Sequence, residues 1–245
     1  MYDIVIGRSA KDKEKYGLDG TIFLGKQFVK MGSTSSLSNK VYLDMNRAHV
    51  VFICGKRGSG KSFTMGVIAE GMADLPLKIK QNLSIIMLDT MGVYWSMKYP
   101  NQKEKSLLDD WGLKSKGLDV KIYTPAGYHK IYKDKGIPTD APFSVKPSEL
   151  SADDWNMSFE INPHESVGVL IEEVIHDLKE SGKEYDLKDI INAINNVNDV
   201  DDAVKGAAKN QFRNAMNWGV FDKKGTPLKD LAKGGQVSVL DVSCY

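Results

Sequence analysis

The chain has 245 residues, of which 42% are hydrophobic and 27% are charged, the proportions of an ordinary globular protein. Its 33 lysine and arginine residues are balanced by 32 aspartate and glutamate residues. This balance excludes a globally basic protein that attracts nucleic acid or membrane over its whole surface, although local clusters of cations remain possible. The length accommodates one domain, or one domain with a subdomain.

The cysteine content and the absence of a long apolar segment bear on the cellular compartment. One cysteine, Cys54, lies in an apolar run and the other, Cys244, next to the last residue, an arrangement that favours a reducing compartment over a disulfide framework. The first residues are not basic, and no stretch reaches the roughly 18 apolar residues that a membrane-spanning helix needs. We therefore predict a cytoplasmic protein that does not associate with membranes.

Residues 1–45 are predicted to form a short β-rich segment. Ile22–Leu24 and Val41–Leu43 consist of strand-forming residues. Between them, Met31–Ser36 is rich in glycine and serine, a composition typical of a flexible linker.

Four apolar runs further along the chain predict buried strands of a mostly parallel sheet. These runs are Val50–Cys54, Ser84–Leu88, Val120–Tyr123 and Val237–Leu240. The second run is followed by Asp89 and the fourth by Asp241. Both carboxylates therefore stand at C-terminal strand ends, the edge at which open α/β sheets bind their ligands.

The segments between these runs are predicted to be mostly helical. After the first run, apolar residues recur at helical spacing until Pro76 ends the helix; they are Met65, Ile68, Met72 and Leu75. Three further helices are predicted before the last run. The first has Asn162 as its N-cap and Pro163 at its first position, the second begins near Asp186, and the third carries apolar residues from Val204 onward. The fold class is therefore α/β with a helical insertion.

The segment Gly55–Ser62 matches the eight-residue pattern G-x-x-x-x-G-K-S in full, with an apolar run before it and an amphipathic helix after it. Its glycines allow backbone N–H groups to turn toward a phosphate, and the helix N-terminus adds partial positive charge. Lys61 is predicted to reach the β- and γ-phosphates and the Ser62 hydroxyl to ligate Mg²⁺. The predicted cofactors are therefore ATP and Mg²⁺, bound by Gly55, Arg57, Gly58, Ser59, Gly60, Lys61, Ser62 and Phe63.

Hydrolysis also requires an acidic residue near the hydrated Mg²⁺ and usually a glutamate that activates water. Asp89 is followed by Thr90 and Asp241 by Val242, so neither strand end offers the glutamate. We take Asp89, together with Lys61, as a candidate catalytic residue, and leave open that Asp89 only caps a turn. Asp241 is interpreted as such a cap.

Four segments, taken in order, resemble the HerA/FtsK branch of RecA-like motor ATPases and are most similar to HerA-type DNA translocases and helicases. Asn46–Gly55 is similar to the strand that leads into the phosphate-binding loop (P-loop) of this family, and the P-loop itself, Gly55–Ser62, follows. Ile85–Tyr94 resembles a strand that ends in Asp-Pro-x-Gly-Glu-Tyr, with Thr90 and Val93 in place of the proline and the glutamate. Val237–Ser243 resembles a later strand that ends in Asp-Leu-Ser.

The resemblance implies a RecA-like ATPase domain over residues 46–245, with the helical insertion at about 150–232. It also implies ATP hydrolysis that drives movement on duplex DNA in DNA-end processing and repair, a homo-hexameric ring, and a NurA-type nuclease as a partner. The Asp-Glu pair, the sensor residue and the arginine finger of such motors would follow the last strand, so we expect a C-terminally truncated chain that binds ATP with little turnover. Two alternatives remain: a nucleotide-dependent switch without translocation, and a motor ATPase for DNA or protein export.

Overall fold

The N-terminal segment forms a three-stranded sheet of its own. A computed structural model describes residues 2–245 of the chain. In it, strand β1 (Ile4–Ile6) pairs in parallel with β3 (Thr34–Asp44), and β3 pairs antiparallel with β2 (Thr21–Met31). Helix α1 (Ala10–Tyr16) lies between β1 and β2 in the chain. Both strands predicted for this segment are confirmed: Ile22–Leu24 lies at the start of β2 and Val41–Leu43 near the end of β3.

The predicted flexible linker is instead the turn and the outer part of a long β-hairpin. The ladder between β2 and β3 extends to the pair Met31 and Thr34, which leaves Gly32 and Ser33 as the turn. Gly32 has a φ of 64°, which two-residue hairpin turns require and which glycine adopts without strain. The prediction of a linker is therefore wrong, because serine and threonine pair as strand residues when a neighbouring strand is available.

A buried ion pair connects the end of this sheet to the segment that follows it. The Arg8 Nε donates a hydrogen bond to the Asp44 Oδ1 at 2.9 Å, and the His49 Nε2 lies 3.1 Å from the Asp44 Oδ2. Burial by itself would raise the pKa of Asp44, but the hydrogen bonds from Arg8, His49 and the Asn46 backbone N–H outweigh it and lower that pKa. His49 leads directly into the apolar run before the P-loop.

Replacing Asp44 with asparagine is expected to destabilise the protein by about 3–5 kcal/mol at pH 7, because it leaves the buried Arg8 guanidinium without its counter-charge. A carboxylate whose pKa is lower in the folded than in the unfolded state stabilises the protein fully above its unfolded-state pKa. This stabilisation is lost as the pH falls through the folded-state pKa. The difference between parent and variant should therefore shrink below about pH 4. Thermal unfolding of parent and variant over pH 3–7 measures this difference in stability. The control is Asp12→Asn, which removes the carboxylate of the more exposed ion pair between Asp12 and Arg47. Equal effects of the two substitutions would contradict the prediction.

A four-stranded, mostly parallel sheet carries three of the four strands predicted for it. Its order is β4 (Ile85–Asp89), β7 (Val237–Asp241), β5 (Val120–Pro125) and β6 (Ala141–Phe143). β5 and β6 pair in parallel. The last strand in the sequence thus lies between two strands that precede it by more than a hundred residues, as connections in α/β sheets allow.

The first of the four predicted strands, Val50–Cys54, is not formed. No strand includes these residues, and the side chains of Val50 and Phe52 are 101% and 88% exposed. An apolar composition favours burial, but a strand also needs a neighbour for its backbone N–H and C=O groups, and the sheet of the described residues ends at β4. As an edge strand β4 is itself only half buried, with Ile86 and Leu88 exposed, so the prediction that it is fully buried is also wrong.

The remaining regular secondary structure of the described residues is helical. Two of the helices are short 3₁₀ helices, Tyr94–Lys98 and Pro147–Glu149. The α-helices after the P-loop are α2 (Lys61–Ala73), α3 (Leu77–Lys80), α4 (Lys105–Asp110), α5 (Ala126–Asp134), α6 (Ala152–Ser158), α7 (Ser166–Glu180), α8 (Leu187–Asn196), α9 (Asp202–Met216) and α10 (Leu228–Leu231).

Helices α6 to α9, which lie within the region predicted as a helical insertion, share one hydrophobic core. Trp155, Ile190 and Phe212 are fully buried in it. Helix α7 begins later than predicted, since its N-cap is Glu165. Asn162 caps no helix; its Oδ1 accepts a hydrogen bond from the His164 N–H at 3.0 Å, so its side chain stabilises a local turn instead.

Contacts divide the chain into two compact units. The first comprises the chain up to Met87, Val93–Lys121 and Ala232–Val239, and the second comprises Leu88–Gly92, Ile122–Leu231 and Leu240–Tyr245. Within residues 2–245, no helix is both long enough and apolar enough to span a membrane.

Candidate nucleotide-binding site

Three glycines shape the path of the P-loop, two through their backbone angles and one through a close approach to a side chain. Gly58 and Gly60 have φ angles of 79° and 87°, in the left-handed region that side chains disfavour. Gly55 has an ordinary φ, but a Cβ on it would lie 2.3 Å from the Ser59 Oγ. A side chain at Gly58 or Gly60 would therefore strain the backbone, and one at Gly55 would require the Ser59 side chain to move.

The loop ends where helix α2 begins. The N-cap residue of the helix is Gly60, whose left-handed backbone turns the chain into the helix. A glycine has no side chain to cap the first turn, so the N–H groups of that turn are left for another acceptor. Together with the partial positive charge of the helix end, this arrangement favours an anion such as a phosphate.

The Lys61 side chain folds back over the loop. Its Nζ donates hydrogen bonds to the carbonyl oxygens of Gly55 and Lys56, at 2.9 and 3.0 Å. The ammonium group is thus held above the loop by neutral acceptors, which a phosphate oxygen would replace with a stronger, charged one. Arg57, Ser62 and Phe63, the other side chains predicted to bind the nucleotide, are exposed around the same loop.

The residues present are suitable for a nucleotide-bound Mg²⁺ ion. The part of the chain that the structure describes contains no cluster of three or more His, Cys, Asp or Glu side chains that could hold a metal ion. Mg²⁺ at phosphate sites does not need one, because it is held by one or two protein oxygens together with phosphate oxygens and water. The exposed Ser62 hydroxyl, in the first turn of α2, is a ligand of that kind.

One contact to the P-loop helix was not predicted from the sequence. The Tyr94 hydroxyl donates a hydrogen bond to the Ser62 carbonyl oxygen at 3.1 Å. Tyr94 is the last residue of the motif-like segment Ile85–Tyr94, so its position in a motif was the available signal. Nothing in the sequence indicated which group it contacts.

The two strand-end carboxylates lie side by side in the second unit. Asp89 and Asp241 are each 2% exposed. The Asp89 Oδ1 accepts a hydrogen bond from the Met91 N–H at 3.1 Å, and the Asp241 Oδ1 accepts from the Ser243 N–H and hydroxyl at 3.0 and 2.7 Å. Each carboxylate therefore closes the turn that follows its own strand, as was interpreted for Asp241 and left open for Asp89.

The loops after β4 and β7 also contact each other. The Val242 N–H donates to the Asp89 carbonyl oxygen at 2.9 Å. Gly92 has a φ of 62°, and a Cβ on it would lie 2.8 Å from the Ser243 Oγ. The Tyr132 hydroxyl lies 3.2 Å from the same Ser243 oxygen. These contacts join the two loops at the edge of the sheet where both carboxylates lie.

The P-loop with its glycine-dependent turn into a helix, and the mostly parallel sheet, define the class of P-loop ATPases. Proteins of this class use a nucleotide and usually Mg²⁺. A family model described as the central domain of helicase HerA matches residues 29–245, and the chain belongs to that family. The predicted membership of the HerA/FtsK branch and the RecA-like α/β fold are thereby confirmed. No match was found among curated proteins.

Proposed function

We propose that this chain is the ATP-binding motor domain of a HerA-like translocase or helicase, which couples ATP hydrolysis to movement on duplex DNA. Membership of the HerA family supports an ATPase motor of the HerA/FtsK type. The observation that carries the proposal is the P-loop, with its three required glycines, its uncapped helix N-terminus and the Lys61 ammonium above it.

In the proposed site, the N–H groups of the loop and of the first turn of α2 bind the phosphates. Lys61 exchanges its two carbonyl acceptors for the β- and γ-phosphate oxygens, and the Ser62 hydroxyl ligates the metal. Mg²⁺, when bound, neutralises charge that develops on the phosphate oxygens during transfer. Arg57 and Phe63 are proposed to contact the outer parts of the nucleotide because both are exposed beside the loop.

Asp89 is proposed to act as a catalytic carboxylate at the C-terminal end of β4. Its Oδ1 is engaged by the Met91 N–H, which orients the carboxyl group. An ionised carboxylate accepts more than one hydrogen bond at each oxygen, so this contact is compatible with a role toward water or metal. Its burial is also typical of groups held rigidly for catalysis.

HerA-family proteins are typically hexameric and associated with DNA. We propose the same for the protein to which this domain belongs, with a NurA-type nuclease as a further partner in DNA-end processing. Ring ATPases of this kind place each nucleotide between neighbouring subunits, so the exposed side of the P-loop is the side on which a neighbour would complete the site.

The hairpin of β2 and β3 is the surface we propose for contact with DNA. Residues 25–40 include three lysines and no aspartate or glutamate. Lys26 and Lys40 stand directly opposite each other in the ladder, an arrangement of like charges that is unfavourable by itself and that an anionic partner would relieve. Phe28 and Met31 near the turn are 66% and 73% exposed. The net positive charge and exposed apolar side chains suit a phosphate backbone and the bases or sugars beside it.

Replacing Lys26, Lys30 and Lys40 with glutamine is expected to weaken duplex DNA binding and to make it less dependent on salt. Each phosphate contact contributes about 0.9 to the slope of log affinity against log salt concentration, so the triple variant should lose up to about 3 from that slope. Fluorescence anisotropy with a labelled duplex between 50 and 200 mM salt, a range in which phosphate contacts change affinity strongly, measures the slope.

A matched control removes the same charge elsewhere, through Lys130→Gln, Lys133→Gln and Lys135→Gln at helix α5. Equal losses in the two triple variants would show that net charge and not the hairpin determines DNA binding. Salt-independent or undetectable DNA binding by the parent would favour the alternative function, a nucleotide-dependent switch without translocation. The engagement of both strand-end carboxylates in turns is the observation that favours that alternative.

A further inference from the structure

Tyr94 is buried against the first turns of the P-loop helix. It is the first residue of the 3₁₀ helix Tyr94–Lys98 and is 7% exposed. Its ring lies 3.9 Å from the place where a Cβ on Gly66 would be, so the ring packs against α2 one turn after Ser62. The chain segments that carry Tyr94 and α2 belong to the same compact unit.

The Tyr94 hydroxyl contacts the main chain of the residue predicted to ligate Mg²⁺. It donates to the Ser62 carbonyl oxygen at 3.1 Å. In an α-helix that oxygen also accepts the N–H of the residue four positions later, and a carbonyl oxygen has a second lone pair for the tyrosine. The contact thus adds to the helix without competing with it.

Holding the Ser62 carbonyl restricts the orientation of two groups that face the phosphate. The carbonyl belongs to the peptide plane that also contains the Phe63 N–H, because peptide units are planar. The same residue carries the Ser62 hydroxyl on its Cβ. A fixed peptide plane therefore fixes the direction of one first-turn donor and narrows the range of the hydroxyl.

We propose that Tyr94 is a positioning residue for the bound nucleotide and its metal ion, acting through the Ser62 carbonyl to hold the first turn of α2 in its binding orientation. This inference rests on the proposed binding of ATP and Mg²⁺ at the P-loop. Tyr94 touches neither the nucleotide nor the metal in this arrangement. It supplies preorganisation, which raises affinity because less freedom is lost when the ligand binds.

The test is Tyr94→Phe, which removes the hydroxyl and keeps the packing of the ring. ATP affinity is measured by titration of the whole chain, once with Mg²⁺ and once with a chelator, and the unfolding temperature is measured without nucleotide. The loss of one neutral hydrogen bond should weaken Mg²⁺-dependent ATP binding by about three- to tenfold. Binding without Mg²⁺ should change less, and the unfolding temperature should be close to that of the parent.

Two further variants separate positioning from a structural effect. Tyr99→Phe, at the residue that follows the same 3₁₀ helix, removes a hydroxyl from a tyrosine that is 59% exposed and should bind ATP like the parent. In a Ser62→Ala background, Tyr94→Phe should cause little additional loss of the Mg²⁺-dependent part, since coupled residues are not additive.

Tyr94→Phe binding ATP as the parent does, with the same Mg²⁺ dependence, would overturn the inference while the proposed function stands. An equal loss with and without Mg²⁺, accompanied by a lower unfolding temperature, would also overturn it and reduce Tyr94 to a core residue. A parent chain that binds no ATP would overturn the proposed function and this inference together.

Discussion

Replacing Lys61 with alanine is expected to abolish ATP·Mg²⁺ binding or to weaken it severely. Lys61 carries the one full positive charge that the P-loop motif directs at the β- and γ-phosphates, and the structure holds its Nζ above the loop through Gly55 and Lys56. Hydrogen bonds to charged groups contribute about 1.5–3 kcal/mol each. The loss of two such bonds corresponds to a reduction of affinity by at least about 100-fold.

Calorimetric titration with ATP, with and without Mg²⁺, measures this loss. Lys56→Ala is the matched control, since it removes an equally charged, exposed side chain from the same loop and should leave affinity within a few fold of the parent. Ser62→Ala should reduce binding mainly when Mg²⁺ is present. If Lys61→Ala binds ATP as the parent does, the assignment of this loop as the phosphate site is wrong.

The chain of residues 1–245 is expected to bind ATP and to hydrolyse it very slowly, with or without duplex DNA. Neither Asp89 nor Asp241 is followed by glutamate, and each already has one oxygen engaged by a backbone N–H. A positioned general base is typically worth about 10²–10⁴-fold in rate. Turnover should therefore fall short of that of an ATPase with such a base by about that factor.

Phosphate release is the measurement, at saturating ATP and with duplex DNA present or absent. Asp89→Asn and Asp241→Asn form a matched pair, because the two buried carboxylates have similar surroundings and equal exposure. Any residual activity that depends on Asp89 alone would support its catalytic assignment. Robust DNA-stimulated hydrolysis by the parent, lost in Asp241→Asn, would contradict the prediction and make Asp241 the metal-associated carboxylate.

Local sequence patterns were sufficient for several features whose physical cause is local, although not for the N-cap predicted at Asn162. The P-loop is one such case, since Gly58 and Gly60 are needed for the backbone angles of the loop itself. Helix α8 is another, because Asp186 caps its own helix through the N–H groups of the next residues. The apolar residues at helical spacing in α7 and α9 are likewise buried, as burial of a stripe follows from its periodicity. The alternation of apolar runs with helical patterns indicated the α/β class, and the order of the four motif-like segments indicated the family.

Tertiary structure decided what depends on partners distant in the sequence. Val50–Cys54 is as apolar as β5 and β7, yet it forms no strand, because pairing requires a neighbour and apolarity alone does not provide one. Serine-rich residues beyond Met31 became strand because β2 offered that neighbour. The contact to the Ser62 carbonyl oxygen is another example. The sequence did not indicate that Tyr94, 32 residues later, donates this hydrogen bond. The sequence by itself determined which residues form the proposed phosphate-binding loop. Only long-range packing determined which side chain contacts the helix that follows this loop, because a hydrogen bond depends on distance in space and not along the chain.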